Sequence, residues 1–232
     1  MFRKFGISVV FILAAATFAS SAFAGMMTDQ EIVCPVGGET FVITGTASCS
    51  TMGRRLSLKP VTSCDFVTRL PVCPSNGLPV YRDFEEGDIK ALERFMETEA
   101  YSSLQSEQPY LRAYYIAKAV ETADSQEPFF LLQNGVWYGE KDAKLDELYQ
   151  AELDLINESL PEEDRPFWLA AGAHHAWASG KSERAAQLFV TAKSLDSGEN
   201  DYLSGYLDRL DACFRGSLEA DECSSDTHIP KN

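Results

Sequence analysis

Histidine is scarce and closely spaced cysteines are missing: the 232-residue chain has three histidines and six cysteines, and no two cysteines stand in a Cys-x-x-Cys arrangement. A redox-active dithiol of the usual kind is therefore excluded, and so is the His-Glu-x-x-His metal signature. No glycine-rich phosphate loop and no serine elbow occurs either. Basic residues are few, 20 Lys and Arg against 35 Asp and Glu. The net charge of −15 repels phosphate backbones and anionic lipid surfaces, so a nucleic-acid partner is not expected. The acidic residues are spread along the chain instead of forming one block, which reads as solubility and not as a dedicated cation site. The first apolar run is shorter than a membrane span and ends at Ser20 and Ser21, and no run of spanning length follows it.

That first run gives the compartment. Arg3 and Lys4 precede "GISVVFILAAATFA", and Ala22, Phe23 and Ala24 form a small-residue cleavage site. This is the pattern of a secretory signal peptide over residues 1–24. The expected product is an exported protein, periplasmic in a Gram-negative cell, with no stable membrane insertion after cleavage. Removing the signal takes two basic residues and no acidic ones, leaving 208 residues with a charge of −17. All six cysteines lie in the exported part, and an even number there argues for disulfides. Six cysteines allow 15 pairings. Cys34, Cys49, Cys64 and Cys73 form one group and Cys213 and Cys223 another, which suggests pairing within each group. The latter two, ten apart, would pin the last helix to a polar tail.

Residues 25–82 read as a small cysteine-rich β module, with "ETFVIT" alternating like a strand and "DFVTRLPVC" extended. Such a stretch is too short to bury much apolar surface without covalent help. From Asp83 the punctuation is helical. Residues 83–215 are expected to form an α-helical body of about six helices, or seven if the ambiguous "DSQEPFFLLQNGVWYGEKD" is one. The first is "EEGDIKALERFMETEAYSSL", with Ile89, Leu92, Phe95, Met96 and Leu104 near a 3.6-residue period. Short loops imply antiparallel neighbours. Residues 216–232 are read as a polar, disordered tail that includes His228.

Within the body, "FWLAAGAHHAWASGKSERAAQLFVTAKSLD" resembles a tetratricopeptide repeat. Ala173 would sit at a helix crossing, Gly180 in the turn, and Ala185, Phe189 and Ala192 on the second helix facing the first. Leu169 and Ala176 occupy the aromatic positions of the first helix. The resulting fold class is mainly α: a helical-hairpin, tetratricopeptide-like body with a small N-terminal β, zinc-ribbon-like, disulfide-stapled module.

The ribbon element comes from two stretches. "IVCPVGGETF" has Cys34 and Pro35 of a zinc knuckle but Gly37 in the second ligand slot; "PVCPSNGLPVY" has Cys73 and Pro74 but Asn76 there. With "LPVYRDF" and the repeat-like helices, the chain from Cys34 to about residue 200 resembles the family catalogued as domain of unknown function 2225. The resemblance implies an architecture, a zinc ribbon on tetratricopeptide-like helices, and no established activity. Gly37 and Asn76 depart from its ligand set, so no metal and no cofactor are expected. Sulfurs that shared a zinc lie near each other, so the resemblance implies a Cys34–Cys73 disulfide in place of the metal, with Cys49 paired to Cys64.

His174 and His175 are adjacent on a helix and point about 100° apart, so they cannot chelate one metal as an i, i+4 pair can. One is expected in a helix crossing and the other in solvent. Trp137, Tyr138, Trp168 and Trp177 are candidates to line a binding groove, since helical-repeat surfaces bind peptides and proteins. No catalytic residue is identified. The expected function is a non-enzymatic module that binds a protein or peptide partner in the cell envelope. An alternative is an enzyme with a carboxylate and aromatic cleft between head and helical body. A second is a metal-binding protein that recruits Cys34, Cys49, Cys64 and Cys73 as four thiolates.

Overall fold

The structure, a computed structural model, describes residues 26–65, 67–120, 126–139 and 142–229. The signal peptide expected at 1–24 lies outside the described residues. The chain opens with an antiparallel hairpin of β1 (Met26–Val33) and β2 (Thr40–Ser48), in register from Val33 opposite Thr40 to Met27 opposite Thr46. β3 (Thr51–Arg55) and β4 (Pro60–Thr62) form a second antiparallel pair. Eight helices follow among the described residues, and a short strand β5 (His228–Ile229) returns to pair with β3. The sheet order is β4-β3-β5.

Local chemistry sets the helix ends. α1 (Glu86–Met96) begins where Asp88 Oδ2 accepts the Glu85 backbone N–H. The expected continuous first helix breaks after Met96: the Thr98 hydroxyl accepts the Tyr101 N–H and starts α2 (Glu99–Ser103) anew. α3 (Pro109–Ala119) carries Pro109 in its first turn, where the missing N–H costs nothing. The ambiguous apolar segment is a helix, α4 (Glu127–Tyr138), ended by Gly139 at φ +91°. Asp142 caps α5 (Ala143–Ile156), α6 (Arg165–Ala178) turns at Gly180 into α7 (Ser182–Ser194), and Asn200 caps α8 (Asp201–Phe214). The segment 67–72 makes no strand; Val72 forms only an isolated bridge to Pro79.

The α6–α7 hairpin is the repeat-like unit, and Ala173, Ala176, Ala185 and Ala192 are all buried where the two helices meet. Gly172 lets α5 approach as well, because a Cβ there would collide with Leu153 Cδ2. The main core gathers Phe129, Tyr149, Leu153, Leu169, Tyr206 and Leu210 from α4, α5, α6 and α8.

The small N-terminal β region is present and disulfide-stapled, and its buried side chains divide between two cores. Cys34, Cys73 and Leu78 pack with Leu92, Tyr101 and Ile116 of α1 to α3. Leu56 and Leu58, in the β3–β4 turn, instead enter the main core. Nor is the tail loose. Ile229 is buried in that core, and His228 lies over Gly53, where a Cβ would collide with its ring. For residues 216–229 the expected disorder is corrected: backbone pairing, a disulfide and the buried Ile229 order a segment that is otherwise mostly polar.

Candidate functional site

The two knuckle turns share one hydrogen-bond pattern. Cys34 N–H donates to Glu39 O (2.8 Å) and Gly38 N–H to Cys34 O (3.2 Å); Cys73 N–H donates to Leu78 O and Gly77 N–H to Cys73 O, both at 2.9 Å. Gly37, Gly38 and Gly77 take positive φ, which is what lets such turns close. Among the described residues no cluster of His, Cys, Asp and Glu is placed to hold a metal ion. Cys34 is bonded to Cys73, with Cα atoms 5.8 Å apart. Asn76 donates from Nδ2 to Val36 O across the two turns (3.0 Å), and its Oδ1 accepts the Leu78 N–H (3.0 Å). Glu39 Oε2 accepts the Ser75 N–H (3.0 Å) as a second crossing bond. Cys49 pairs with Cys64 and Cys213 with Cys223, Cα separations 5.6 Å in each. In this structure the four N-terminal sulfurs are paired in two disulfides and do not form a set of four thiolates.

A cleft of about 770 Å3 lies where three parts of the chain meet: the end of α4, the starts of α5 and of the α6–α7 turn, and the β3–β4 turn with residues 225 and 226 of the tail. Trp137 Nε1–H donates to Ser57 O (2.8 Å), and Lys59 Nζ donates to Trp137 O (2.6 Å), so α4 and the β3–β4 turn hold each other. From the other side Tyr206 donates its hydroxyl to Leu56 O (2.7 Å). The tail completes the wall through Ser57 N–H to Ser225 O (3.3 Å), Ser57 Oγ–H to Ser225 O (2.9 Å) and the Arg55–Asp226 ion pair.

His175 meets Asp146 of α5, Nε2 to Oδ1 at 3.0 Å, and the Tyr149 ring stands edge-on to the imidazole with centroids 5.1 Å apart. His174 is buried, and its Nε2 lies 2.9 Å from Cys223 O. A carbonyl only accepts, so Nε2 carries the proton. Burial holds this imidazole below the ordinary histidine pKa, with His175 adding to the effect and the Cys223 carbonyl opposing it. Burial also lowers Lys59, with Arg55 second. The Tyr149 phenol donates to Gln133 Oε1 (2.8 Å) and is pushed up by burial. Of the two histidines, His174 is packed inside and held by the tail, while His175 is partly exposed on the cleft and held by Asp146 of α5.

The four groove candidates do not share one groove. Trp137 and Tyr138 line the cleft, Tyr138 being 42% exposed. Trp168 sits beyond Trp137, ring centroids 6.1 Å apart, and lines a different cavity. Trp177 packs between His174 and Phe214. Asp146 and Lys59 are cleft residues that sequence reasoning missed, because each reaches its partner across elements with no local motif. Chemically, the His175–Asp146 pair is an imidazole oriented by a carboxylate. Ser57, a hydroxyl of the same cleft, spends its proton on the Ser225 carbonyl and not on that imidazole. No family model, curated protein or solved structure matches the chain.

Proposed function

We propose that this is an exported protein of the cell envelope that binds a segment of another protein in the cleft between its N-terminal β3–β4 turn and its helical body. One observation carries the reading. The cleft is assembled from the N-terminal region, the body and the disulfide-held tail, and its polar groups are already fixed by protein partners around the exposed Tyr138 and the half-buried Trp137. Such a preformed surface, aromatic at its lip and polar within, loses little entropy on recognition. Three disulfides, and the lack of any helix among the described residues long and apolar enough to cross a membrane, support export by a cleaved signal peptide and a periplasmic address. On this proposal the N-terminal knuckles are a metal-free variant of those in the domain of unknown function 2225 family.

A photo-crosslinking amino acid at position 138, in cells carrying the exported chain, tests it. Discrete adducts that vanish when Trp137→Ala is added are expected; no adduct beyond those formed by a probe on the α7 surface at Val190 contradicts it. The His175–Asp146 pair favours a second reading, an enzyme using His175 as a base, which needs a substrate hydroxyl or water in the cleft. Loss of any turnover found in an envelope extract on His175→Gln, with partner crosslinking intact, would support that reading instead.

A further inference from the structure

A separate cavity of about 490 Å3 opens where α4, the α5–α6 connection, α6 and α8 meet the end of β3. Four partly exposed aromatic side chains line it: Phe130 from α4, Phe167 and Trp168 from α6, and Tyr202 from α8. They form two ring pairs, Phe130 with Trp168 (centroids 5.4 Å apart, edge to face) and Phe167 with Tyr202 (6.0 Å, tilted). Leu58 and Leu160, both buried, contribute apolar surface. Protein interiors close such spaces with side chains, so rings from three helices left around an open volume are a surface kept free.

The charged groups on this cavity are one of each sign. Arg54 and Asp164 are both exposed, and neither has an ion-pair partner among the described residues. Arg54 Nη1 donates to Leu58 O (3.1 Å), which fixes the guanidinium beside the apolar wall. Aromatic faces attract cations as well as apolar groups. A primary ammonium carries three N–H donors that ring carbons cannot satisfy, whereas a quaternary ammonium has none and sheds its loose hydration at small cost. The guanidinium asks in turn for a carboxylate.

We propose that this cavity binds a small betaine-type zwitterion, its quaternary ammonium against Phe130, Phe167, Trp168 and Tyr202 on the side of Asp164 and its carboxylate on Arg54. The site is distinct from the cleft proposed for protein binding, so failure of either leaves the other standing.

Isothermal titration of the oxidised full chain tests this with glycine betaine and with its tert-butyl analogue, in which carbon replaces nitrogen and the positive charge is lost while shape and carboxylate remain. Saturable binding of glycine betaine, about tenfold tighter than the analogue, is expected from the cation's interaction with the rings. Arg54→Gln should weaken glycine betaine about tenfold and leave choline unchanged, while Tyr202→Leu should weaken both. Arg54 lies at the exposed end of β3, and an unchanged melting curve for that variant removes misfolding as an explanation. Equal affinity for betaine and analogue, no saturable heat with either, or indifference to Arg54→Gln would each overturn the proposal.

Discussion

The knuckle region and the helical body solve the same problem by different means. Around Cys34 and Cys73 the buried apolar set is small, and two turns are joined by a disulfide and by the Asn76 and Glu39 bonds that cross between them. In the body, α6 and α7 need no crosslink, because buried alanines let the two helices meet, and Gly172 of α6 leaves room for Leu153 of α5. Where a chain cannot bury enough surface, its native contacts must be covalent or directional. The β3–β4 turn shows the boundary between the two: sequence-adjacent to the cysteine-rich stretch, it belongs energetically to the body.

The comparison breaks most visibly at the first disulfide. Replacing both Cys34 and Cys73 by alanine opens a closure of 39 residues, and chain entropy puts the loss at about 4 kcal/mol. Hydrogen exchange should show residues 26–48 and 70–80 losing protection while the helical circular dichroism persists. Loss of both together would mean that the body depends on the knuckles. The converse substitution, Leu153→Ala, removes a fully buried side chain between α5 and α6 and should cost about 3 kcal/mol in denaturant unfolding. Here the helices melt first and the Cys34–Cys73 turns keep their protection.

Tyr206→Phe probes the joint. It removes the buried donor to Leu56 O and leaves that carbonyl without this partner, at a cost of about 1 to 3 kcal/mol. Urea midpoints would read it, and no change would show that the turn is held by its leucines and its bonds to Trp137 and Ser225 without this hydroxyl.

The smallest effect is a pH dependence at His174. Burial sets its folded pKa below the unfolded-chain value, which is near 6.5. The stability of the neutral ring is therefore complete above about 6.5. It falls as pH drops below that value, because the unfolded chain binds a proton that the fold refuses, with a slope of at most about 1.4 kcal/mol per pH unit. The difference in unfolding free energy between wild type and His174→Gln, measured at neutral and mildly acidic pH, should shrink on acidification. A constant difference would contradict it.

Legibility in the sequence followed the physics of each element. The α6–α7 hairpin was readable because small residues at a crossing repeat at helical spacing in one continuous stretch. α4 was ambiguous because Phe129, Leu131 and Leu132 are all buried, and a helix covered on most sides has no polar face to give a period. The break at Thr98 depends on one hydroxyl capping against an otherwise continuous stripe. β5 was invisible: its contribution is backbone pairing to β3, placed by a disulfide whose partner lies in a helix. The knuckles were legible as turns, whereas the bond from Asn76 to Val36 O joins residues 40 apart. The cleft pair His175 and Asp146, 29 residues apart on neighbouring helices, carries no local signal.

The most direct test of the covalent, metal-free account is intact mass of the unreduced protein, with elemental zinc analysis and peptide mapping. Three disulfides remove two hydrogens each, so a mass six hydrogens below the reduced chain is expected, with Cys34 linked to Cys73 and no zinc. A mass at the reduced value with one zinc per chain would contradict it and return the N-terminal cysteines to metal binding.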